Sequence, residues 1–258
     1  KNTEKEPPNL NRGYKPSHQD NSLPTIGLII PAYNEERWIT EKIRNIASLD
    51  YPDSRLKVII GCDGCTDNTY QLAVNTVKEA ECSHLNIHVI KFDKNRGKVA
   101  VLNELIEQAH SDLIALSDVS AIISIDSLLI AATRFKDKEI GVLNSHYQIL
   151  YPGSEGEATY WKYQSNIKLG EASFGSTLGA HGALYLFRRS LFETLSPDTI
   201  NDDFVLPMSI VSKGYRSEYE PHINALELEM TGHGFFRSAS SITSPIGRET
   251  SLDRKSVV

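Results

Sequence analysis

An α/β fold is predicted, with a mostly parallel central sheet and helices on both faces. Three observations predict it. Short apolar runs rich in Ile, Val and Leu alternate with segments whose apolar residues recur at helical spacing. Four of these runs pass directly into polar loops, and all four loops carry carboxylates, the pattern left when strands deliver ligand-facing residues at their carboxyl ends. At 258 residues, 40% hydrophobic and 23% charged, the chain is long enough to bury a core without disulfide or metal staples.

The elements follow in order. Residues 1–23 are polar and contain Pro7, Pro8, Gly13 and Pro16, which reads as a disordered tail. "TIGLIIP" (25–31) is a buried strand, and Ile39, Ile43, Ile46 and Ala47 share the face of the helix after it. "LKVIIG" (56–61) is the second strand. Asp67 is placed to cap the next helix, where Tyr70, Ala73, Val74 and Val77 align. "NIHVIKF" (86–92) is the third strand, and Gly97 opens a helix with Leu102, Leu105, Ile106 and Ala109 on one side. "DLIALSD" (112–118) is the fourth. Strands and helices alternating in this way imply parallel pairing.

The rhythm then changes. A helix near 125–135 precedes the strand "IGVLNSHY" (140–147) and a long polar, aromatic segment (153–182). "ALYLF" (183–187) is a strand, 204–213 a helix, and "YRSEYEP" (215–221) ordered again. Residues 232–258, rich in Ser, Thr, Arg and Gly, read as loosely ordered or truncated. The expected folded unit is therefore 24–231, with 24–121 as one half of a cleft and 122–231 as the other.

The bulk numbers narrow the function class. A net charge of −6 argues against a nucleic-acid binder held by bulk electrostatics. It leaves room for an anionic small ligand, because a divalent ion inverts the local charge. Cys62, Cys65 and Cys82 are few and odd in number, which fits a reducing compartment. No run approaches the ~18 apolar residues of a membrane span, and the start at Lys1 is consistent with an excised piece. The expected location is the cytoplasm, with the inner face of the cell membrane as an option.

The loops Pro31–Glu35, Cys62–Asp67, Asp93–Lys98 and Ser117–Ser120 all follow strands and so converge on one sheet edge. In order and spacing, "IIPAYNEERWITEKIRNIASLDYP", "GCDGCTDNT", "NRGKVAVLNELI" and "LSDVSA" resemble the donor half of family-2 glycosyltransferases. "YWKYQSNIKLGEASFGSTLGAHGALYLFRRSLF" and "INDDFVLPMSIVSKGYRSEYEP" are similar to the acceptor half of the bacterial polysaccharide-synthase branch. The resemblance covers about residues 24–230 and implies a GT-A-type nucleotide-binding fold. It implies a metal-dependent, inverting enzyme that moves a sugar from a nucleotide donor, most simply a UDP-sugar, to a hydroxyl of a saccharide or lipid-linked acceptor.

Roles follow residue by residue from that resemblance. In the loop Pro31, Ala32, Tyr33, Asn34, Glu35, the proline stiffens the strand exit, the tyrosine offers a ring face, and the last two offer hydrogen-bond partners to a base and ribose. The other reading is a strand-to-helix loop whose acids complement the helix dipole. Asp63 is implied to accept a hydrogen bond from a pyrimidine N–H. Cys62 and Cys65 stand where Asp and Ser are usual, and a redox Cys-x-x-C or a zinc site with Cys82 and His84 is the rival reading. Arg96 and Lys98 flank Gly97 at a helix start, which suits phosphate or a solvated surface pair; Lys98 is implied to serve the donor.

At 117–120 the family shows Asp-x-Asp or Asp-x-Asn, whereas this chain has Ser117, Asp118, Val119 and Ser120. Mg²⁺ commonly takes one or two protein carboxylates and completes its shell from phosphate and water. Asp118 assisted by Ser120 is therefore the implied site for Mg²⁺ or Mn²⁺, against the plainer reading of Asp118 as a helix cap. In "INDDFVLP", Asp203 matches the acidic position that deprotonates the acceptor, with Asp202 raising its pKa as a like-charged neighbour. Both acids equally suit a helix N-terminus. Gly179 and Gly182 allow close approach of a sugar, and His181 is a polar wall residue on the acceptor side. Tyr160, Trp161 and Tyr163 suit either sugar stacking or helix packing.

Two readings compete with transfer. A sugar-nucleotide pyrophosphorylase shares the architecture but typically carries a glycine-rich basic loop after its first strand, and "PAYNEE" has no glycine. A nucleotide-sugar-binding domain impaired in catalysis would account for Ser120. It would also account for the lack of the Gln-x-x-Arg-Trp gate and membrane helices found in many relatives.

Overall fold

The computed structural model describes residues 21–149, 177 and 179–228. Residues 1–20 of the expected tail, the segment 232–258, and the aromatic residues Tyr160, Trp161 and Tyr163 lie outside the described residues.

Eight strands form one sheet: β1 (Ile26–Ala32), β2 (Leu56–Asp63), β3 (Asn86–Phe92), β4 (Leu113–Leu116), β5 (Ala121–Ile123), β6 (Ile140–Ile149), β7 (Tyr185–Arg188) and β8 (Arg216–Glu227). Their spatial order is β3-β2-β1-β4-β7-β6-β8-β5. The first half is parallel throughout, with β1 flanked by β2 and β4, and β3 outside β2. The second half is mixed: β7 runs against both β4 and β6, β6 runs with β8, and β5 runs against β8. All strands but β5 and β7 therefore point the same way, as a mostly parallel sheet requires.

Five described helices cover the two faces: α1 (Ile39–Ala47), α2 (Thr69–Thr76), α3 (Lys98–Gln108), α4 (Ser127–Arg134) and α5 (Asp202–Val211). Strand alternation sorts the core. Ile26, Leu28 and Ile30 of β1 join α1, α2 and α4 on one face, while Ile29 joins α3 and α5 on the other. Ile39, Ile43 and Ile46 are fully buried, each stabilising the docked α1 by about 1.5–3 kcal/mol.

Four local features differ from the sequence reading. The three-residue strand β5, directly after Asp118–Ser120, is too short to leave a periodic signal. α5 begins two residues early, at Asp202, so both acids lie inside its first turn rather than before it. The fourth strand closes at Leu116, not Asp118, which leaves the acid on a loop. In α2 the buried residues are Ala73 of the expected Tyr70, Ala73, Val74 and Val77 stripe together with Thr69 and Thr76, while Tyr70, Val74 and Val77 are only partly buried. The threonines tolerate burial because their hydroxyls are bonded: Thr76 donates to the Leu72 carbonyl at 2.8 Å, and Thr69 to Asp67 at 2.5 Å.

Pro207 sits inside α5 and has no N–H to give to the carbonyl four residues earlier. That carbonyl belongs to Asp203, and Ala180 N–H donates to it at 2.7 Å. The proline thus opens a helix bond that the loop before β7 fills.

Candidate functional site

The carboxyl ends of the parallel strands β1, β2, β3 and β4 bring the four polar loops together. Two of them are stitched by Asn34, whose φ of 56° is the left-handed conformation asparagine tolerates. Its side-chain amide donates to Thr66 Oγ1 (3.1 Å), and its oxygen accepts from Thr66 N (2.9 Å). Glu35 N donates to Thr69 Oγ1, and Glu36 N to Asp67 Oδ2. Much of the polar capacity expected to meet a base is therefore engaged between the loops. Ala32 is buried, whereas Tyr33 is 41% exposed and presents its ring.

Asp63 ends β2 and is 4% exposed. Its carboxylate accepts from Arg96 N at 2.9 and 3.1 Å and from Gly97 N at 2.9 Å. It therefore fixes the backbone that starts α3, and Gly97 meets that geometry at a φ of 88°. The Cys62 thiol, fully buried, is pushed up to about 12 by burial first and by neighbouring Cys65 second, which makes it a poor nucleophile. Cys82 precedes β3 and so lies toward the opposite edge of the sheet from the end of β2.

Lys98 reaches from the first turn of α3 into the crevice. Its Nζ lies 3.3 Å from Asp118 Oδ1 and 3.6 Å from Asp202 Oδ2. Burial pulls its pKa down, but Asp118, Asp202 and Asp203 together outweigh that and hold it above the ordinary lysine value. Asp203 moves the other way from a normal carboxylate. Burial raises its pKa, Asp202 adds to the rise, and Lys98 opposes it. The sequence reading expected the rise from Asp202; burial is the larger cause.

Pro31, Lys98, Asp118, Gly182, Tyr185 and Asp202 line one narrow crevice. A β-carbon at Gly182 would lie 2.5 Å from Asp118 Oδ2, so a larger residue there would displace that carboxylate. The Gly182 carbonyl also accepts from Asp118 N at 3.0 Å. His181 stacks on Tyr147 with ring centroids 3.7 Å apart, and its Nδ1 accepts from Ala183 N. Ser117 lies in the crevice wall but is 1% exposed, and its hydroxyl donates to Ala183 O and accepts from Lys42.

Two residues went unread in the sequence. Tyr185 is 1% exposed, and its hydroxyl has no hydrogen-bond partner among the described residues. Burial first, then Asp202, Asp203 and Asp118, raise its pKa well above the ordinary phenol value. Within "ALYLF" it reads only as a strand aromatic. Lys42 is fully buried, and its position on the Ile39–Ile43–Ile46 face of α1 was the available signal.

A divalent cation would find hard oxygen donors in Asp118 and Ser120, and the cradle left by Gly182 keeps the carboxylate in place. Among the described residues no group of three or more His, Cys, Asp or Glu is placed to share an ion. The described side chains alone therefore form no closed cage for an ion. No helix among the described residues is long and apolar enough to cross a membrane.

The glycosyl transferase family 2 model matches residues 28–196. A poly-beta-1,6-N-acetyl-D-glucosamine synthase of Staphylococcus aureus is 27% identical over 215 residues, covering 80% of this chain and 50% of that protein. The synthase of the same description in Staphylococcus epidermidis is 25% identical over 220 residues, covering 82% and 52%. The chain thus spans about half the length of these curated relatives. Among solved structures, the mannosyltransferase PcManGT of Pyrobaculum calidifontis, in complex with GDP-Man and Mn²⁺, superposes with a TM-score of 0.73. It is 24% identical, with 83% of this chain and 59% of that chain covered. TarS 1-349 of S. aureus in complex with UDP-GlcNAc gives a TM-score of 0.58 at 21% identity, with 85% and 62% covered.

Proposed function

The chain belongs to glycosyl transferase family 2 and has the GT-A fold, and from that premise we propose that it transfers a sugar, with inversion, from a nucleotide-sugar to a hydroxyl of a saccharide or lipid-linked acceptor. UDP-sugars are the first donors to test. The catalytic unit is residues 24–231, with the donor side in 24–121 and the acceptor side in 122–231. The observation that carries the proposal is the meeting of Lys98, Asp118 and Asp202 in one crevice, with Asp203 beside them in the first turn of α5.

In this reading the loop Pro31–Glu35 and Asp63 hold the nucleoside, with the exposed Tyr33 ring against its face. Asp63 does so while also anchoring the start of α3, so that Lys98 faces the diphosphate. Asp118 and Ser120 hold Mg²⁺ or Mn²⁺, which when bound neutralises charge on the leaving diphosphate. Asp203 accepts the proton of the attacking hydroxyl; the new bond forms at C1 of the sugar as the C1–oxygen bond to the diphosphate breaks. A carboxylate with a raised pKa is better matched to that proton transfer than an ordinary one. His181 and Gly182 form the wall on the acceptor side. Ile200, Phe204 and Val205 flank Asp203 with 67%, 50% and 41% exposure, an apolar rim suited to a lipid-linked acceptor presented at a membrane face.

The decisive experiment measures UDP release from a panel of UDP-sugars with Mn²⁺ and saccharide acceptors, in wild type, Asp118→Asn and Asp203→Asn. Transfer in the wild type with loss in both variants supports the reading. Donor binding without turnover on any acceptor would instead support a nucleotide-sugar-binding domain. The replacement of the second acid by Ser120 favours that alternative.

A further inference from the structure

α1 packs through Ile39, Ile43 and Ile46, all fully buried. Lys42 lies on the same face and is also 0% exposed, so an ionisable amino group sits where the helix pattern calls for an aliphatic residue. Withdrawing such a group from water costs several kcal/mol unless partners compensate. The partners here are specific. Lys42 Nζ donates to Ser117 Oγ at 2.7 Å and to the Ala121 carbonyl at 2.5 Å.

Those two acceptors straddle one turn. Ala121 N donates to the Asp118 carbonyl across it, and Leu228 N donates to the Ser120 carbonyl. Ser117 passes the contact on by donating to Ala183 O, beside Gly182. Lys42 therefore links the helix after the first loop, both ends of the Asp118–Ser120 turn, and the strand entry that carries Gly182. Burial pulls the Lys42 pKa down to about 7, and the charges of Asp118 and Glu227 oppose that fall without overcoming it. Lys98 approaches Asp118 from the crevice side, and Lys42 holds the turn from behind.

We infer that Lys42 is a positioning residue of the transfer site: its amino group, through two donated hydrogen bonds, ties the two ends of the turn presenting Asp118 and Ser120, and so sets how tightly a divalent cation and a diphosphate are held there. The second half of this inference rests on the reading of Asp118 proposed above; the first half does not. A neutral side chain of similar length would fill the space and leave the turn without its tie.

The test compares wild type, Lys42→Met, Ser117→Ala and the double variant. Calorimetry with UDP alone and with UDP plus Mn²⁺ gives the gain in affinity due to the cation. Expected in Lys42→Met is UDP affinity without metal within about threefold of wild type, and a cation-dependent gain reduced at least tenfold. Ser117→Ala shows the same signature more weakly, and the double variant adds little to Lys42→Met, as residues acting through one contact do. Hydrogen exchange of amides 117–121 accelerates at least tenfold in Lys42→Met, while β1–β3 amides are unchanged. An unchanged cation-dependent gain, or unchanged exchange in the turn, overturns the inference. If wild type shows no gain from Mn²⁺, the metal reading of Asp118 fails instead, and the exchange data alone decide whether Lys42 holds the turn. If Lys42→Met does not fold, Ser117→Ala carries both measurements.

Discussion

Gly182 and Asp118 are so closely apposed that a β-carbon on the glycine would stand 2.5 Å from Asp118 Oδ2. The backbone N–H of Asp118 is bonded to the Gly182 carbonyl, so the two backbones stay close and the conflict must be relieved by the Asp118 side chain. Gly182→Ala should rotate or expel the Asp118 carboxylate. The expected outcome is a loss of about 100-fold in kcat/KM, equivalent to about 2.7 kcal/mol of transition-state stabilisation. The melting temperature should drop by no more than a few degrees, because the strands on either side are untouched. Steady-state kinetics beside thermal unfolding checks it.

Asp203 carries a prediction with a sign. Its raised pKa means that the folded protein holds the proton over a pH window in which the unfolded chain has released it. Stability contributed by this group is thus lost as pH rises through that window, which begins near the ordinary carboxylate value. Asp203→Asn should leave the melting temperature at pH 7 equal or higher, with the difference closing below about pH 4. Transfer should fall by about 10²–10⁴-fold, the usual contribution of a general base, while donor affinity is retained. The acid limb of the wild-type rate profile should lie above the ordinary carboxylate range. A variant that loses donor affinity together with turnover would place Asp203 in binding instead.

What the sequence made legible depended on how local each cause was. β1 and β2 were readable because β-branched runs buried on both faces leave an uninterrupted apolar signal, edge strand β3 because its apolar residues are interspersed with exposed polar ones in a short β-branched run, and α3 because Gly97 and a four-residue apolar face mark its start and side. β5 was not readable: three residues have no period, and the strand exists only because β8 passes beside it. The loops of the candidate site were legible as loops, but their internal wiring was not. Nothing in "PAYNEE" says that Asn34 will bond Thr66, and nothing in "GCDGC" says that Asp63 will hold the backbone of Arg96 and Gly97. Lys42 was legible in principle, since it occupies a core position of a clear helical face. Its partner Ser117 is 75 residues away, and that pairing is a property of the fold. The orphaned Tyr185 hydroxyl has no sequence signature.

Lys98 links the two carboxylates that approach it from different halves of the chain, Asp118 from the donor side and Asp202 from α5. It also opposes the rise in the Asp203 pKa. Lys98→Met removes that opposition, so the acid limb of the pH–rate profile should move to higher pH. Diphosphate affinity should weaken by about tenfold or more in the same variant, as expected when a cation facing phosphate is lost. The pair of effects is diagnostic. A purely structural lysine would alter stability without moving the limb.

Asp63 holds the backbone that starts α3 and, in the function proposed above, also meets the base, and one variant separates the two. It is nearly buried, and it accepts three backbone contacts, from Arg96 N to both oxygens and from Gly97 N to one. In Asp63→Asn an oxygen at the Oδ2 position can still accept from Arg96 N and Gly97 N, but the shorter Arg96 contact is lost and an NH₂ group faces that N–H in its place. Losing the charge-assisted part of these bonds costs about 1.5–3 kcal/mol, which should appear as a lower urea midpoint with an unchanged slope. The local signature should be faster hydrogen exchange at 95–98. Because Lys98 follows directly, diphosphate affinity should fall along with base recognition: UDP, uridine and free diphosphate should all bind more weakly. If Asp63 acted only by meeting the base, Asp63→Asn would weaken UDP and uridine alone, leaving free diphosphate affinity and the urea midpoint at wild-type values.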